Sequence, residues 1–214
     1  MKLLSVNVGK PRSIDHNGRR VRTGIFKSAV AGRVKVNELN LEGDRQADLR
    51  VHGGWSKAVY AYPHEHYDFW RAQLPDLDYP LGAFGENLST TGILEDEIFI
   101  GDKIEIGTAR FIVTEPRFPC YKLGVRFDFP EIVLSFYLSQ RYGFYLAVEK
   151  QGEIQSGDTI EIVHRDPNRV SIADIIRLKN GVTQDKDLIN QALQVEALPE
   201  GLKRRLRNAV KKIV

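Results

Sequence analysis

Short apolar runs, rich in β-branched and aromatic residues and separated by glycine, dominate the first three quarters of the chain. The runs that read as strands are 32–36, 58–62, 97–100, 109–113 and 144–148. Alternation of apolar and polar positions over four to eight residues is typical of half-buried strands. Many short strands with turn signals between them indicate a mainly β (α+β) fold, with the strands in a barrel or a sandwich.

A six-residue motif occurs twice in this part of the chain. Residues 101–106 read Gly-Asp-Lys-Ile-Glu-Ile, and residues 157–162 read Gly-Asp-Thr-Ile-Glu-Ile. In each copy a tight turn leads into an alternating strand. We therefore interpret the repeat as architectural.

Helical patterns are fewer than strands before residue 164. Pro63 stands at a plausible first-turn position of a helix over 63–70. An apolar stripe predicts a second helix over 130–141. Both would lie at the periphery of the β structure.

The character of the chain changes to helix after residue 167. Ser171 with an aspartate three residues later resembles a capping box, and further helix starts are expected at Thr183 and Pro199. We predict a main β domain over 1–164 and a small three-helix unit over 165–214.

The composition is that of a globular protein, with 42% hydrophobic and 28% charged residues. No stretch approaches the roughly 20 apolar residues of a membrane-spanning helix, and the N-terminus lacks the long apolar segment of a secretion signal. We therefore expect a cytoplasmic protein without membrane contact. The formal net charge of +3 is uneven, because residues 165–214 carry 11 Lys and Arg against 6 Asp and Glu.

The basic run at 203–207, Lys-Arg-Arg-Leu-Arg, raises the question of nucleic acid binding. Three-helix units can contact phosphates through such residues. Basic residues on one helix do not, however, define a groove-reading geometry, and a solvated helix face is the more common role. We do not expect nucleic acid as a partner.

The only cysteine, Cys120, is the first candidate for chemistry. A single cysteine excludes an internal disulfide, and no Cys/His spacing resembles a zinc or iron–sulfur site. Prolines at 116 and 119 stiffen the backbone, and the positive charges of Arg117 and Lys122 favour a thiolate, which can act as nucleophile or soft-metal ligand. The alternative for an isolated cysteine is a small buried hydrophobic residue.

Three further segments carry polar groups suited to an anion or a heterocycle. Adjacent glycines in 41–57 allow backbone N–H groups to approach a ligand, an asparagine in 82–88 offers an amide, and cations in 21–30 offer charge for a phosphate. The residues concerned are Arg22, Thr23, Lys27, Gly53, Gly54, Lys57 and Asn87. Each segment taken alone is also compatible with an ordinary turn or loop.

In their order and spacing, these segments resemble the MOSC family, the molybdenum cofactor sulfurase C-terminal domains, and within it the YiiM type. The matching motifs are Thr-Gly-Ile-Phe-Lys at 23–27, Gly-Asp-Arg-Gln-Ala-Asp at 43–48, His-Gly-Gly at 52–54 with Lys-Ala-Val at 57–59, Phe-Gly-Glu-Asn-Leu at 84–88 and Pro-Arg-Phe-Pro-Cys-Tyr-Lys-Leu at 116–123. The resemblance covers nearly the whole chain, including the helical tail.

The resemblance implies a MOSC-type β-barrel with peripheral helices that binds molybdenum cofactor, a molybdopterin with molybdenum. Cys120 would be the metal ligand. Candidate contacts to the rest of the cofactor are Arg22, Thr23, Lys27, Gly53, Gly54, Lys57, Asn87, Arg117, Pro119 and Lys122.

The implied activity is two-electron reduction of small N-hydroxylated compounds, such as hydroxylaminopurines, by oxygen-atom transfer at molybdenum. This would be a detoxification reaction, with His52 or Glu115 carrying protons beside Cys120. Because the chain shows no flavin, nicotinamide or iron–sulfur fingerprint, a separate electron-donating reductase is expected. The assembly could be a homodimer.

Three other interpretations remain open from the sequence. The protein could carry molybdenum cofactor or sulfur on Cys120 without catalysis of its own. Alternatively, Cys120 could be a hydrolytic nucleophile activated by His52 and oriented by Asp48. The third interpretation is nucleic acid binding through the basic tail, which would depend strongly on salt.

Overall fold

The computed structural model describes residues 1–16, 18–47 and 53–213, the last four by their backbone. Within these ranges the strands are β1 (Lys2–Val8), β2 (Arg12–His16), β3 (Arg19–Thr23), β4 (Ser28–Val30), β5 (Val34–Val36), β6 (Val59–Pro63), β7 (Leu88–Thr91), β8 (Lys103–Ile106), β9 (Ala109–Pro116), β10 (Phe144–Lys150), β11 (Gly152–Ile154) and β12 (Ile160–His164). The α-helices are α1 (Glu65–Gln73), α2 (Tyr121–Phe127), α3 (Ile132–Ser139), α4 (Ile172–Lys179), α5 (Lys186–Gln194) and α6 (Glu200–Ile213).

Eight strands form one mixed sheet in the order β12-β8-β9-β10-β6-β7-β1-β4. Its described pairs are antiparallel except β6 and β7, which run parallel. Two small antiparallel pairs, β5 with β11 and β2 with β3, complete the strand set of the described chain. The fold is therefore mixed α and β, as expected.

The predicted closed barrel is not found among the described residues, because the strand order has two ends, β12 and β4. The sheet nevertheless curls until the segment that leads into β12 meets the start of β1. The amide of Leu3 donates to the carbonyl of Asp158 (2.9 Å), and the amide of Gly157 donates to the carbonyl of Leu3 (2.7 Å). On the other side of the Lys2–Thr159 bridge, the amide of Ile160 donates to the carbonyl of Met1 (3.1 Å). This single bridge is too short to make β1 and β12 ladder partners.

The repeated motif is confirmed as architectural. Its two copies become β8 and β12, which pair antiparallel so that Ile160 lies opposite Ile106 and Ile162 opposite Ile104. The prediction for 97–100 is wrong, since this segment is a turn with one isolated bridge at Phe99. Its apolar residues are anchored by the helical tail rather than by a strand, because the Ile172 amide donates to the carbonyl of Ile98 (3.1 Å).

The helix predicted from Pro63 begins two residues later. Pro63 ends β6, His64 is the residue before the helix, and α1 runs over Glu65–Gln73. The helix predicted over 130–141 is confirmed as α3. Helix α2, directly after Cys120, was not predicted from the sequence.

Three helices follow β12, as predicted. The capping box at Ser171 and Asp174 is present at the start of α4, where the Asp174 amide donates to the Ser171 hydroxyl (3.0 Å). Asp185, rather than Thr183, caps α5. Ile172 and Ile175 of α4 belong to the same hydrophobic core as the sheet, and α4 packs on β9. A separate three-helix unit is therefore not confirmed, and the division at residue 164 stays a prediction.

The described part of the chain contains no helix long and apolar enough to cross a membrane.

Aromatic side chains pack α1 and α3 against β6. Trp70 stacks on Phe136 with ring centres 5.5 Å apart, and Tyr62 contacts Phe84 at 4.6 Å. The Trp70 indole N–H donates to the Tyr62 hydroxyl (2.7 Å), so the polar atoms of both rings are satisfied inside the core. This cluster packs the end of β6 against the 82–88 loop and the two helices.

The fully buried carboxyl group of Glu86 organises that loop. It accepts hydrogen bonds from the amides of Gly82 (2.9 Å) and Phe84 (3.1 Å) and from the hydroxyls of Ser89 (2.9 Å) and Tyr67. Burial raises the pKa of Glu86, although these donors oppose the shift. One side chain thus links the loop to α1 and β7.

Replacing Glu86 should therefore destabilise the fold. We expect Glu86→Ala to lower the free energy of unfolding by about 3–5 kcal/mol, because four buried donors lose their acceptor. Chemical denaturation measures the effect, with Glu38→Ala on an exposed turn as the control. A loss below about 1 kcal/mol would mean that the loop is held by other contacts.

Candidate functional site

Cys120 lies where β9 gives way to α2. The strand ends at Pro116, and Cys120 has extended backbone angles (φ −140°, ψ 166°) as the residue before the helix. Its carbonyl accepts the amide of Leu123 (2.9 Å), which fixes the first turn. The cysteine is half-buried and free of any disulfide.

Two clefts meet at Cys120. The first cleft encloses about 560 Å³, including its open mouth. Its lining residues are Thr23, Gly24, Ile25, Lys27, Asp44, Gln46, Ala47, Lys57, Tyr60, Gly85, Asn87, Arg117, Cys120, Lys122 and Tyr145. The Cys120 segment and the three polar or glycine-rich segments singled out from the sequence therefore converge on this one cleft, although they are far apart along the chain.

Arg117 is the most deeply buried cation of the first cleft, with 6% of its surface exposed. Its guanidinium lies 5.4 Å from the centre of the Tyr60 ring and 6.0 Å from that of Phe136. Within the described residues, its Nη1 atom is buried and has no hydrogen-bond partner. A buried cation with an unsatisfied donor at the wall of a cleft is suited to an anionic ligand.

Lys27 has a different environment, because it forms a buried ion pair with Asp44. The same carboxylate accepts the amide of Gly9 (2.9 Å) and the Asn87 side-chain amide (2.9 Å). Burial lowers the pKa of Lys27, and the attraction of Asp44 opposes this shift. Lys27 therefore stabilises the floor of the cleft.

The amide of Asn87 is also engaged within the protein. Its Oδ1 accepts the amide of Tyr60 (3.1 Å), and its Nδ2 donates to the carbonyl of Asn7 (3.2 Å) as well as to Asp44. Asn87 lines the first cleft as predicted, but its hydrogen-bonding groups join β1, β6 and β7 beneath it.

The second cleft is also lined by Cys120 and encloses about 1070 Å³, including its mouth. Its lining residues are Gly53, Ser56, Lys57, Glu115, Pro116, Phe118, Pro119, Cys120, Tyr145, Lys179, Pro199, Gly201, Leu202, Arg204 and Arg205. Three residues, Lys57, Cys120 and Tyr145, line both clefts. The second cleft lies between the sheet and the C-terminal helices.

Glu115 is the acidic group of the second cleft and has 6% of its surface exposed. Burial raises its pKa, while the charge of Lys57 (3.9 Å) and the hydroxyl of Ser56 (2.9 Å) lower it. The net upward direction makes Glu115 a better proton donor near neutral pH than an ordinary glutamate.

The predicted site residues therefore divide between the clefts. Thr23, Lys27, Asn87, Arg117 and Lys122 lie in the first cleft, and Gly53, Glu115 and Pro119 lie in the second. Arg22 is exposed on β3 opposite Ser13 and, like Gly54, lines neither cleft. His52 and Asp48 lie outside the described residues.

Sequence reasoning missed several residues that line the clefts. Tyr145 contributes a partly buried ring to both, and desolvation raises its pKa to about 12. Asp44 was visible only as part of the Gly-Asp motif, without a sign that it is buried. Lys179, Arg204 and Arg205 were assigned to a separate unit, so their approach to Cys120 was not expected.

Comparison with known proteins gives the family. The MOSC domain model matches residues 48–161. The chain belongs to the MOSC domain family. It is 37% identical to the uncharacterized protein YflK of Bacillus subtilis over 200 residues. This alignment covers 92% of this chain and 89% of YflK. A protein of Gibberella moniliformis named "Reductase" is 33% identical over 98% of this chain, which spans only 38% of that protein's length.

The fold is that of YiiM. The crystal structure of YiiM from Geobacillus stearothermophilus superimposes with a TM-score of 0.81 and 30% sequence identity, covering 98% of both chains. This agreement over the full length includes the C-terminal helices. The YiiM type suggested by the motifs is therefore confirmed.

MOSC domains are associated with molybdenum cofactor, and the residues of this chain suit such a group. The described residues contain no set of three His, Cys, Asp or Glu side chains that could hold a metal ion alone. The donor set at the site is instead one thiol, Cys120, with the unsatisfied guanidinium of Arg117 in the same cleft. A cofactor that brings its own metal ligands and an anionic phosphate matches this set.

Measurements of the free energy of unfolding can distinguish Lys27, which pairs with Asp44, from Lys122 in the same cleft. We expect Lys27→Met to lower the free energy of unfolding by about 3–5 kcal/mol, because it leaves the Asp44 carboxylate buried and uncompensated. Lys122→Met is the matched control in the same cleft, since Lys122 forms no ion pair among the described residues. Its effect should stay within about 0.5 kcal/mol.

Urea denaturation of both variants provides the measurement. Equal, small losses for the two substitutions would show that the Lys27–Asp44 pair does not stabilise the floor of the cleft.

Proposed function

We propose that this protein is a molybdenum-cofactor-dependent oxidoreductase that reduces small N-hydroxylated compounds such as hydroxylaminopurines. The observation that carries the proposal is the position of Cys120 at the junction of two clefts. A thiolate there is a suitable molybdenum ligand, with space for a cofactor on one side and for a substrate on the other. The name of the fungal relative, "Reductase", supports a redox role.

The first cleft is the proposed cofactor site. Cys120 would bind the metal, while Arg117 and Lys122 would bind the phosphate and Thr23 would approach the pterin. When bound, the cofactor supplies the two-electron removal of oxygen from an N–O bond. The buried wall around Arg117 would exclude water from a cofactor held there.

The reaction requires two electrons and two protons for each substrate, because the hydroxylamine becomes an amine and its oxygen leaves as water. Glu115 is the proposed proton donor on the substrate side. His52 stays a predicted proton carrier. The electrons would come from a separate redox protein, and the chain's match to only part of the longer fungal protein is compatible with that division of labour.

The first test is the molybdenum and pterin content of the wild type and Cys120→Ala, purified from a host that makes the cofactor. Reduction of N-hydroxylaminopurine with an artificial electron donor is measured on the same samples. We expect the wild type to contain molybdenum and turn over, and Cys120→Ala to lose most of both. Ser28→Ala, on exposed β4, is the control for substitution itself.

Molybdenum in the wild type without turnover would favour a carrier of cofactor or sulfur. Absence of molybdenum from the wild type would overturn the proposal, and inactivation of a metal-free preparation by an alkylating probe would then favour a nucleophilic Cys120.

The role of Glu115 predicts a specific pH dependence. Because burial raises the pKa of Glu115, its carboxyl stays protonated to higher pH than an ordinary glutamate, and activity should fall as pH rises through that raised pKa. Glu115→Gln cannot donate the proton and should lower kcat by roughly 10²–10⁴-fold. Its molybdenum content should equal that of the wild type.

Ser56→Ala is the informative second variant. The Ser56 hydroxyl donates to Glu115 and lowers its pKa, so its removal should shift the falling limb of the pH–rate profile to higher pH. Full activity of Glu115→Gln with an unchanged pH profile would exclude Glu115 as the proton donor.

A further inference from the structure

The second cleft has a wall of positive charge that the proposed chemistry does not explain. Lys179 at the end of α4 and Arg204 and Arg205 on α6 line it together with Cys120. An uncharged N-hydroxylated base carries no negative charge that these three cations could bind. The wall therefore indicates a property of the substrate.

In the described part of the chain these cations lack close ion pairs, although the Glu200 carboxylate interacts electrostatically with Arg204. Among the residues that the structure describes, Lys179, Arg204 and Arg205 form no ion pair with a carboxylate, whereas Arg207 on the same helix pairs with Glu200. Lys179 is half-buried, and its pKa is lowered by burial and by the like charge of Arg205. Like charges held together at a cleft wall are stabilised when an anion binds between them.

Apolar surfaces line the same cleft between the cations and Cys120. Phe118 lies under the Lys179 ammonium, which is 3.7 Å from the ring centre, and Leu202 and Pro199 of the helical wall also line it. Leu202 and Pro199 offer apolar surface that suits a flat aromatic ring. The volume of the cleft, about 1070 Å³ with its mouth, is compatible with a ligand larger than a purine base.

We propose that the second cleft is the substrate site and takes an N-hydroxylated nucleobase that carries a phosphate, as in a nucleotide. This inference rests on the proposed reductase function and narrows its substrate class. The base lies on the apolar surfaces with its N-hydroxyl group toward Cys120, and the phosphate lies against Lys179, Arg204 and Arg205. The C-terminal helices are then part of the substrate site.

The test compares two substrates in the molybdenum-loaded enzyme, 6-hydroxylaminopurine and the corresponding nucleoside 5′-monophosphate. We expect a lower KM for the nucleotide. Arg205→Ala should raise that KM about tenfold, the effect of losing one charge-assisted hydrogen bond, and leave the KM for the free base unchanged. Arg207→Ala removes the same charge from the same helix outside both clefts and should change neither KM.

An artificial electron donor is used throughout, so that a change in KM cannot come from a lost contact to a redox partner. As a second measurement, calorimetry follows the binding of adenosine 5′-monophosphate, the reduced form of the substrate, to the same holoenzymes. Binding should weaken about tenfold in Arg205→Ala, by the same reasoning, and not in Arg207→Ala.

The outcomes separate this inference from the function on which it rests. If the free base is reduced but the nucleotide has no advantage, or if Arg205→Ala affects both substrates equally, the inference is overturned and the reductase stands. If neither compound is reduced, the proposed function fails. Calorimetry then tests the phosphate site in the second cleft separately. Binding of adenosine 5′-monophosphate that weakens in Arg205→Ala supports the site, and absence of binding overturns it.

Discussion

The buried Asp44 carboxylate is the interaction on which the site depends. It accepts bonds from Gly9 after β1, from Lys27 before β4 and from Asn87 before β7, and so joins three segments that are distant in sequence. A carboxylate with 3% exposure is tolerated only when its charge and lone pairs are satisfied. The first cleft therefore has a floor whose polar groups are already used within the protein.

This floor changes how the cations of the site are interpreted. A positive charge that pairs with a buried carboxylate stabilises the fold, whereas one without a partner is available to a ligand. Lys27 belongs to the first class and Arg117, with its unsatisfied Nη1, to the second. Counting basic residues near a cleft would treat both alike, although Lys27 is paired with Asp44 and Arg117 has a buried donor without a partner among the described residues.

Local patterns predicted the elements well, and the site only in part. Alternation located β6, β9 and β10, and capping chemistry located the start of α4, because these signals lie within a few residues. The motif around Cys120 identified the residue at which the two clefts meet. The prediction of a closed barrel was wrong because closure depends on whether β1 and β12 pair over several residues. The pattern of apolar positions within each strand does not specify that pairing. The burial of Asp44 was not predictable either, since its partners come from three separate loops.

The basic run on α6 shows why charge in a sequence has to be placed on a surface before it is assigned a role. Successive helical residues point about 100° apart, so one run serves several faces. Leu202 and Leu206 are buried in the core, Arg207 pairs with Glu200, and Arg204 and Arg205 line the second cleft beside Lys179. Arg204 and Arg205 are exposed, as the solvated face expected from the sequence requires, and they also line the second cleft. A helix whose core contacts fix its position can hold a charge at a defined place near Cys120, and a mobile basic tail cannot.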